Sequence, residues 1–160
     1  MQWSEVIADQ SLQDLPYKIE LNEHGKIIMS PASNKHGFYQ SEISALFHQQ
    51  LHHGKTIIEC SIQTAKGVKV ADVAWLSPAF LQQHSLNETP FSAAPEICVE
   101  ILSPSNSELE MQEKIQLYLQ QGAQEVWLVE TTGNVRFFNA SGESKQSAFG
   151  VQIDWSAMAF

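Results

Sequence analysis

The chain lacks the features that mark membrane and secreted proteins. No run approaches the roughly 18 consecutive apolar residues that a membrane-spanning helix requires. The first ten residues, MQWSEVIADQ, have no basic segment followed by an apolar core, so we expect no secretory signal. Cysteine is also scarce, because Cys60 and Cys98 are the only two and both lie in apolar, strand-like runs. We therefore expect two buried free thiols in a cytoplasmic protein, rather than a disulfide or a metal pair.

Positive charge is the other scarce feature, and it is unevenly distributed. The chain has 9 Lys and Arg residues against 18 Asp and Glu residues, and the net charge of −9 argues against a general nucleic-acid binder. Six of the nine basic residues and five of the six histidines lie in residues 1–70. A surface that faces a polyanion is therefore predicted to come mainly from the N-terminal half. A bound divalent metal could offset some of the acidic excess in residues 71–160.

The order of apolar segments predicts one α/β domain over residues 1–160, with a mixed central sheet and helices on both faces. The predicted elements are a short helix in 2–12, a hairpin over 17–31, helices over 35–52 and 107–121, a helical turn at 79–84, and strands over 55–64, 68–77, 96–102, 125–130 and 134–140. Strands 96–102 and 125–130 enclose the second long helix in a βαβ unit, so we expect them to be parallel. A further strand and a poorly defined tail are expected in the last twenty residues.

A carboxylate interrupts the most apolar of these strands, in the stretch ICVEILSPSN at residues 97–106. The residues around Glu100 do not alternate between apolar and polar, so both faces of this strand are predicted to be covered. An unpaired charge there is very costly, and Glu100 must therefore be protonated, paired or bound to a cation. Because Glu100 lies near the C-terminal end of the strand, where α/β sheets bind ligands, it is a candidate site residue.

Asp72 interrupts the preceding strand, VKVADVAWLS, in the same way. If these two strands are neighbours in the sheet, the carboxylates of Asp72 and Glu100 lie close enough to hold one metal. Carboxylate oxygens of this kind suit Mg²⁺ or Mn²⁺, which bind a few carboxylates and keep several waters.

Two further charged residues lie at the edges of predicted buried helix faces. On the second long helix, Lys114 is about 40° from the apolar position Tyr118, and on the first, Glu42 is about 40° from Leu46. Both side chains can therefore point toward the sheet. Next to a metal, a lysine at such a position would stabilise charge on a phosphorane or orient the attacking water.

Each candidate also has a purely structural interpretation, and the residues alone leave it open. Glu100 could simply pair with Lys114 inside the protein. Asp72 could occupy a strand end, where aspartate is common. Lys114 and Glu42 could both extend into water. Glu110 could be only the second residue of the capping box that starts at Ser107.

The histidines of the first long helix give a weaker signal. His48 and His52 are one turn apart, but no cysteine or carboxylate follows at ligand spacing, so a solvated helix end is favoured over a zinc site. His36, near the start of this helix, could contact a phosphate or serve the helix start.

The order of acidic and basic residues resembles the PD-(D/E)XK nuclease superfamily and, within it, the Uma family of restriction-endonuclease-like proteins. The resemblance runs, in the family's order, through IELNEHGKIIMSPAS, YQSEISALF, VADVAWLS and PEICVEILSPSNSELEMQEKIQLYLQQGAQEVWLVE. It covers about residues 17–140, and 96–130 is its most specific part. The resemblance implies a restriction-endonuclease-like fold and cleavage of DNA with Mg²⁺ or Mn²⁺.

The resemblance also implies roles for the matching residues. Asp72 and Glu100 would be metal ligands, with the backbone carbonyl of Ile101 as a third. Lys114 would be the catalytic lysine. Glu42 matches an acidic residue that can hold a metal-bound water.

Tyr118, one turn after Lys114, would hold the lysine in place, and Glu110 would pair with it at i,i+4 spacing. The sequence departs from the superfamily pattern at Leu102, where the superfamily has its lysine, so the lysine has moved to the helix as it does in this branch. It departs again at Ala71, which replaces a proline that shapes the backbone. The C-terminal tail matches weakly, and no role is carried over from it.

Together these residues predict a metal-dependent endonuclease that acts on DNA. The resemblance to the superfamily, rather than any particular residue, implies a homodimer, because cleavage of a duplex needs two sites. The main alternative is a non-catalytic DNA-binding or interaction module that keeps the fold. The acidic surface favours that alternative, and the acid–acid–lysine set opposes it. A third reading is an enzyme that acts on RNA or on a nucleotide.

Overall fold

A six-stranded mixed sheet and a separate two-stranded hairpin form the framework of the protein. The structure is a computed structural model that describes residues 1–155. The strands of the sheet, in spatial order, are β3 (Lys55–Thr64), β4 (Gly67–Leu76), β5 (Ile97–Ile101), β6 (Glu125–Val129), β7 (Val135–Asn139) and β8 (Gly142–Ser144). The hairpin consists of β1 (Tyr17–Leu21) and β2 (Ile27–Pro31). The helices are α1 (Trp3–Ala8), α2 (Asn34–Gln50), α3 (Pro78–Gln83) and α4 (Glu108–Gln120).

The predicted βαβ unit is present as β5, α4 and β6. β5 and β6 pair in parallel, whereas the other neighbouring strands of the sheet are antiparallel. The helix starts where the capping box predicts, because Ser107 Oγ accepts a hydrogen bond from the backbone N–H of Glu110 at 3.1 Å. The mixed sheet and the parallel pair are therefore confirmed.

Helices cover both faces of the sheet, as predicted. Successive residues of β5 show the alternation, since Cys98 packs in the core cluster of α4 and Val99 packs in that of α2. On the α2 side, the Phe47 and Trp127 rings meet edge to face at 5.1 Å between centroids. None of the helices between residues 1 and 155 has the length and apolar character that crossing a bilayer requires.

The hairpin packs over the part of β4 that extends beyond β5. β4 pairs with β5 only from Val73 to Trp75. The earlier β4 residues Val68 and Val70 instead form a small core with Leu21 of β1 and with α1. As a result, β1 lies beside the C-terminal end of β5, which is the end that the sequence marked as a candidate site.

The C-terminal segment is held by a buried carboxylate rather than by a long strand. Glu125 accepts hydrogen bonds from Trp127 Nε1 at 2.6 Å, from Ser147 Oγ at 2.6 Å and from Ala148 N at 2.7 Å. The strand expected in the last twenty residues is the short β8, and residues 145–155 have no helix or strand. The end of the expected tail, residues 156–160, lies outside the described residues.

The burial of both cysteines gives a prediction about their reactivity. Cys60 and Cys98 are free and buried, as expected. Burial raises the pKa of Cys60 to about 12 and that of Cys98 well above its ordinary value. Because the thiolate is the reactive form, we expect the native protein to resist an aromatic disulfide reagent at about pH 8. Absorbance should report two thiols per chain only after denaturation in guanidinium chloride, and rapid reaction of the native protein would contradict this burial.

Candidate active site

The predicted carboxylates, Asp72 and Glu100, meet at the C-terminal end of β5. Val73 of β4 pairs with Val99 of β5, and Asp72 and Glu100 are the next residues beyond that antiparallel pair. Residues opposite each other in an antiparallel pair project to the same face. Asp72 is 1% exposed and Glu100 is 2% exposed. The expectation that the two strands are neighbours is therefore confirmed.

A lysine that the sequence analysis did not select lies between these carboxylates. Lys18 of β1 places Nζ 3.1 Å from Asp72 Oδ1 and 3.0 Å from Glu100 Oε2. Burial would lower the pKa of Lys18, but the negative charges of Asp72, Glu100 and Glu20 raise it well above its ordinary value. Lys18 is therefore an ammonium group at the point where the two carboxylates converge.

A second ion pair, between Lys114 and Glu20, adjoins the first. Lys114 Nζ lies 2.9 Å from Glu20 Oε1 and 3.5 Å from Glu100 Oε2. The side chain of Lys114 thus points toward the sheet, as its helical position predicted. Glu20 of β1 also accepts a hydrogen bond from Val70 N at 2.7 Å. Burial would raise the pKa of Glu20, but Lys18 and Lys114 hold it below its usual value.

Glu100 is surrounded by donors on both carboxylate oxygens. Lys18 and Lys114 approach Oε2, and Tyr118 Oη donates a hydrogen bond to Oε1 at 2.6 Å. The resemblance implied a contact between Tyr118 and Lys114, whereas this hydrogen bond goes to Glu100. Burial raises the pKa of Glu100 despite the opposing charges of Lys114 and Lys18. Burial and the charge of Glu100 also raise the pKa of Tyr118 well above its ordinary value, so the phenol remains a donor.

Asp72 is held by groups from three other elements. In addition to Lys18, His36 Nε2 of α2 lies 3.0 Å from Oδ1, and Ile101 N of β5 donates to Oδ2 at 2.7 Å. Gln40 Nε2 donates to the backbone carbonyl of Asp72 at 2.9 Å. Burial would raise the pKa of Asp72, but Lys18, His36 and the Ile101 N–H hold it below its usual range. Ile101 was predicted to contribute its carbonyl, and the contact seen here comes from its N–H.

Two predicted site residues lie apart from the ion pairs. Glu42 is half-buried on α2, about 120° around the helix from His36, which does reach the cluster. Glu110 lines the cavity at the site but is engaged by the Ser107 backbone N–H at 3.5 Å, and within the described residues it forms no ion pair with Lys114. The roles that the resemblance implied for Glu42 and Glu110 stay predictions.

The residues that sequence reasoning missed are Lys18, Glu20 and the side chain of His36. The stretch YKIEL did contain a signal, because its alternation places Lys18 and Glu20 on one face of β1. Such alternation normally indicates a face in contact with water. The hairpin docks over β4 and so buries that face, and no local sequence pattern indicates this docking.

A small cavity adjoins the cluster and bears on whether a metal fits. Its volume of about 30 Å³ is enough for a water molecule, and its lining includes Lys18, His36, Asp72, Glu100 and Lys114. Two carboxylate oxygens already share one cation, which is the donor chemistry that Mg²⁺ or Mn²⁺ requires. Among residues 1–155, however, no three His, Cys, Asp or Glu side chains form a group that could hold a metal. Asp72 and Glu100 thus offer two carboxylate oxygens of the kind that divalent metals bind, and the cation at their meeting point is Lys18.

Comparison with known proteins points to one family and one fold. A family model described as "Uma2: Putative restriction endonuclease" matches residues 9–151. The solved structure of "a putative nuclease belonging to DUF820 from Anabaena variabilis ATCC 29413" is similar at a TM-score of 0.72 and 21% sequence identity, covering 94% of this chain and 91% of that chain. A search of the curated proteins finds no match. The predicted restriction-endonuclease-like fold is confirmed.

The hydrogen bond from Tyr118 to Glu100 gives a stability prediction. Tyr118→Phe removes the donor but keeps the ring, so we expect the free energy of unfolding to fall by about 1.5–3 kcal/mol, the usual value for a hydrogen bond to a charged group. Urea denaturation of the metal-free protein measures this change. Tyr17→Phe, at an exposed tyrosine, is the matched control and should cost less than about 0.5 kcal/mol. Equal losses in the two variants would contradict the assignment.

The contact between His36 and Asp72 gives a pH prediction. The hydrogen bond to Asp72 raises the pKa of His36. The charge of Glu59 acts in the same direction, whereas burial and the charge of Lys18 act against it. A raised folded-state pKa stabilises the protein fully below the unfolded value of about 6.5, and this contribution is lost as pH rises through the folded value.

We therefore expect His36→Gln to lower the free energy of unfolding more at about pH 5.5 than at about pH 9. Urea denaturation of the metal-free protein across this range measures the difference. His53→Gln, at an exposed histidine, should show no such trend. A loss that is independent of pH would mean that His36 stabilises the fold only as a neutral ring.

Proposed function

Because the chain belongs to the Uma2 family of putative restriction endonucleases, we propose that it is a Mg²⁺- or Mn²⁺-dependent endonuclease that hydrolyses phosphodiester bonds in DNA. One observation carries the proposal. Asp72, Glu100 and Lys114, which the resemblance matched to the nuclease site, lie in one buried cluster at the C-terminal end of β5. A purely structural ion-pair cluster would need balanced charges. It would not explain why the three residues that match the nuclease site are the ones that lie together.

In this proposal Asp72 and Glu100 hold the metal, with the Ile101 carbonyl as a third ligand. When bound, the metal polarises the phosphodiester and lowers the pKa of a bound water. Support comes from the two carboxylate oxygens that lie within 3.1 Å of a common cation. Tyr118 keeps Glu100 oriented through its hydrogen bond.

Lys114 stabilises the negative charge that develops on the phosphate in the transition state. Its ammonium group is fixed by Glu20 and Glu100, and its backbone belongs to the packed helix α4. A donor held in place before the reaction stabilises developing charge without reorganisation at the moment of reaction. Glu20 therefore acts as a positioning residue for Lys114.

Basic side chains from the N-terminal half lie next to this site. Lys66 and Lys69 line a cavity of about 330 Å³ that also includes Lys114. Lys66 is paired with Glu113, so the charge around this cavity is mixed. We infer that DNA binding depends on the metal and on Lys114 more than on a broad basic surface.

We further propose that residues 1–160 form one domain that acts as a homodimer. One site cuts one strand at a time, and two copies of the site are needed to cut both strands of a duplex.

The test is cleavage of labelled duplex DNA with Mg²⁺ or Mn²⁺, and with a chelator in place of the metal. We expect metal-dependent cleavage that Glu100→Gln abolishes. Lys114→Met should lower kcat/KM by about 10²- to 10³-fold, the range for removal of one donor to a developing negative charge. Lys145→Met, at an exposed lysine, is the matched control and should leave the rate unchanged.

The same assay separates the alternatives. DNA binding without metal-dependent cleavage, unchanged by Lys114→Met, would replace the proposal with the non-catalytic module. Cleavage of RNA that excess DNA does not inhibit would replace DNA with RNA as the substrate class.

A further inference from the structure

We propose that Lys18 is an internal substitute for the metal: its ammonium group occupies the cation position between Asp72 and Glu100 in the metal-free protein, and a divalent metal binds by displacing it. This inference rests on the proposed function, because it takes Asp72 and Glu100 as the metal ligands.

The distances indicate that a bound metal would compete with Lys18 for the same carboxylate oxygens. Lys18 Nζ lies 3.1 Å from Asp72 Oδ1 and 3.0 Å from Glu100 Oε2, and its side chain is 9% exposed. A metal shared by these carboxylates needs the same oxygen atoms and the same space between them. Lys18 and the metal therefore cannot both be bound there.

The charge of the cluster explains why Lys18 occupies the position between Asp72 and Glu100 when no metal is bound. Glu20, Asp72 and Glu100 are buried together, and the ion pairs of Lys114 within residues 1–155 are with Glu20 and Glu100. Asp72 therefore depends on Lys18 for its main counter-charge. The other groups that contact its carboxylate are His36 and the backbone N–H of Ile101. Removing the ammonium without a replacement would leave a buried carboxylate without its main counter-charge, which is costly.

The position of Lys18 on the hairpin leaves a path by which its ammonium group can move into solvent. Its cross-strand partner is Ser30 of β2, which is small, half-buried and part of the cavity lining. The lysine stem is flexible and its ammonium group is readily hydrated, so Nζ can leave past Ser30 while β1 stays in place. Lys114 has no equivalent role, because it forms no contact with Asp72 among the described ion pairs.

The competition lowers the apparent metal affinity. A site that is free for only a fraction of the time binds its ligand more weakly in proportion to that fraction. Removing the Lys18 charge should therefore tighten metal binding.

Calorimetric titration with Mn²⁺ alone, without nucleic acid, tests this in the full chain. Lys18→Met keeps a long apolar side chain and removes the charge, and we expect its dissociation constant to be at least about tenfold lower than that of the wild type. Lys18→Arg keeps the cation and should bind no more tightly than the wild type. Lys26→Met, at an exposed lysine of the same hairpin, is the matched control and should match the wild type.

A second measurement on the wild-type protein covers the case in which Lys18→Met does not fold. Acetylation of Lys18, followed by peptide mass spectrometry, should increase as Mg²⁺ is added, because displacement brings a buried amine into water. Acetylation of the exposed Lys26 should stay constant. A Lys18 signal that stays constant while the metal binds would overturn the inference.

The outcomes separate this inference from the proposed function. Equal Mn²⁺ affinity in the wild type and Lys18→Met, with binding lost in Glu100→Gln, would overturn the displacement and leave the metal site intact. No saturable binding in any variant, together with no metal-dependent cleavage, would overturn both.

Discussion

Charge balance inside one buried cluster constrains this end of the molecule. Three carboxylates, Glu20, Asp72 and Glu100, are paired with two ammonium groups, one from a hairpin and one from a helix, and Asp72 also contacts His36. Breaking a buried ion pair by removing one partner costs about 3–5 kcal/mol, a large part of the stability of a typical domain. The hairpin, β4, β5 and α4 must therefore keep fixed relative positions. An apolar core alone would tolerate small shifts between them, whereas directional contacts of about 3 Å do not.

The parts of this arrangement that could be predicted are those with a local signal. Asp72 and Glu100 stand out because each interrupts an apolar run, and such interruptions can be read in a single strand. Lys114 stands out because its helical angle places it at the edge of a buried face. The βαβ unit around α4 follows from the apolar runs and the capping box. The resemblance to the Uma family relates these residues to one site without any information on strand pairing.

The parts that could not be predicted depend on how distant segments dock. Lys18 and Glu20 lie on the polar face of an alternating strand, and only the position of the hairpin over β4 buries that face. His36 and Glu42 are both on α2, and the sequence favoured Glu42 from its angle to the apolar stripe. The orientation of α2 instead brings His36 to Asp72. The packing of α2 against the sheet sets that orientation, and it cannot be predicted from any short segment of the sequence.

The long sequence separation within the cluster has a consequence for folding. Lys18 is 54 positions from Asp72 and 82 positions from Glu100, whereas β4, β5 and α4 follow one another along the chain. Contacts between distant segments carry a larger entropy cost of loop closure and tend to form later. In a state where β4 and β5 have paired but the hairpin is undocked, Asp72 and Glu100 lack Lys18 and must keep protons or water. Desolvation of this end of the sheet is thus tied to hairpin docking.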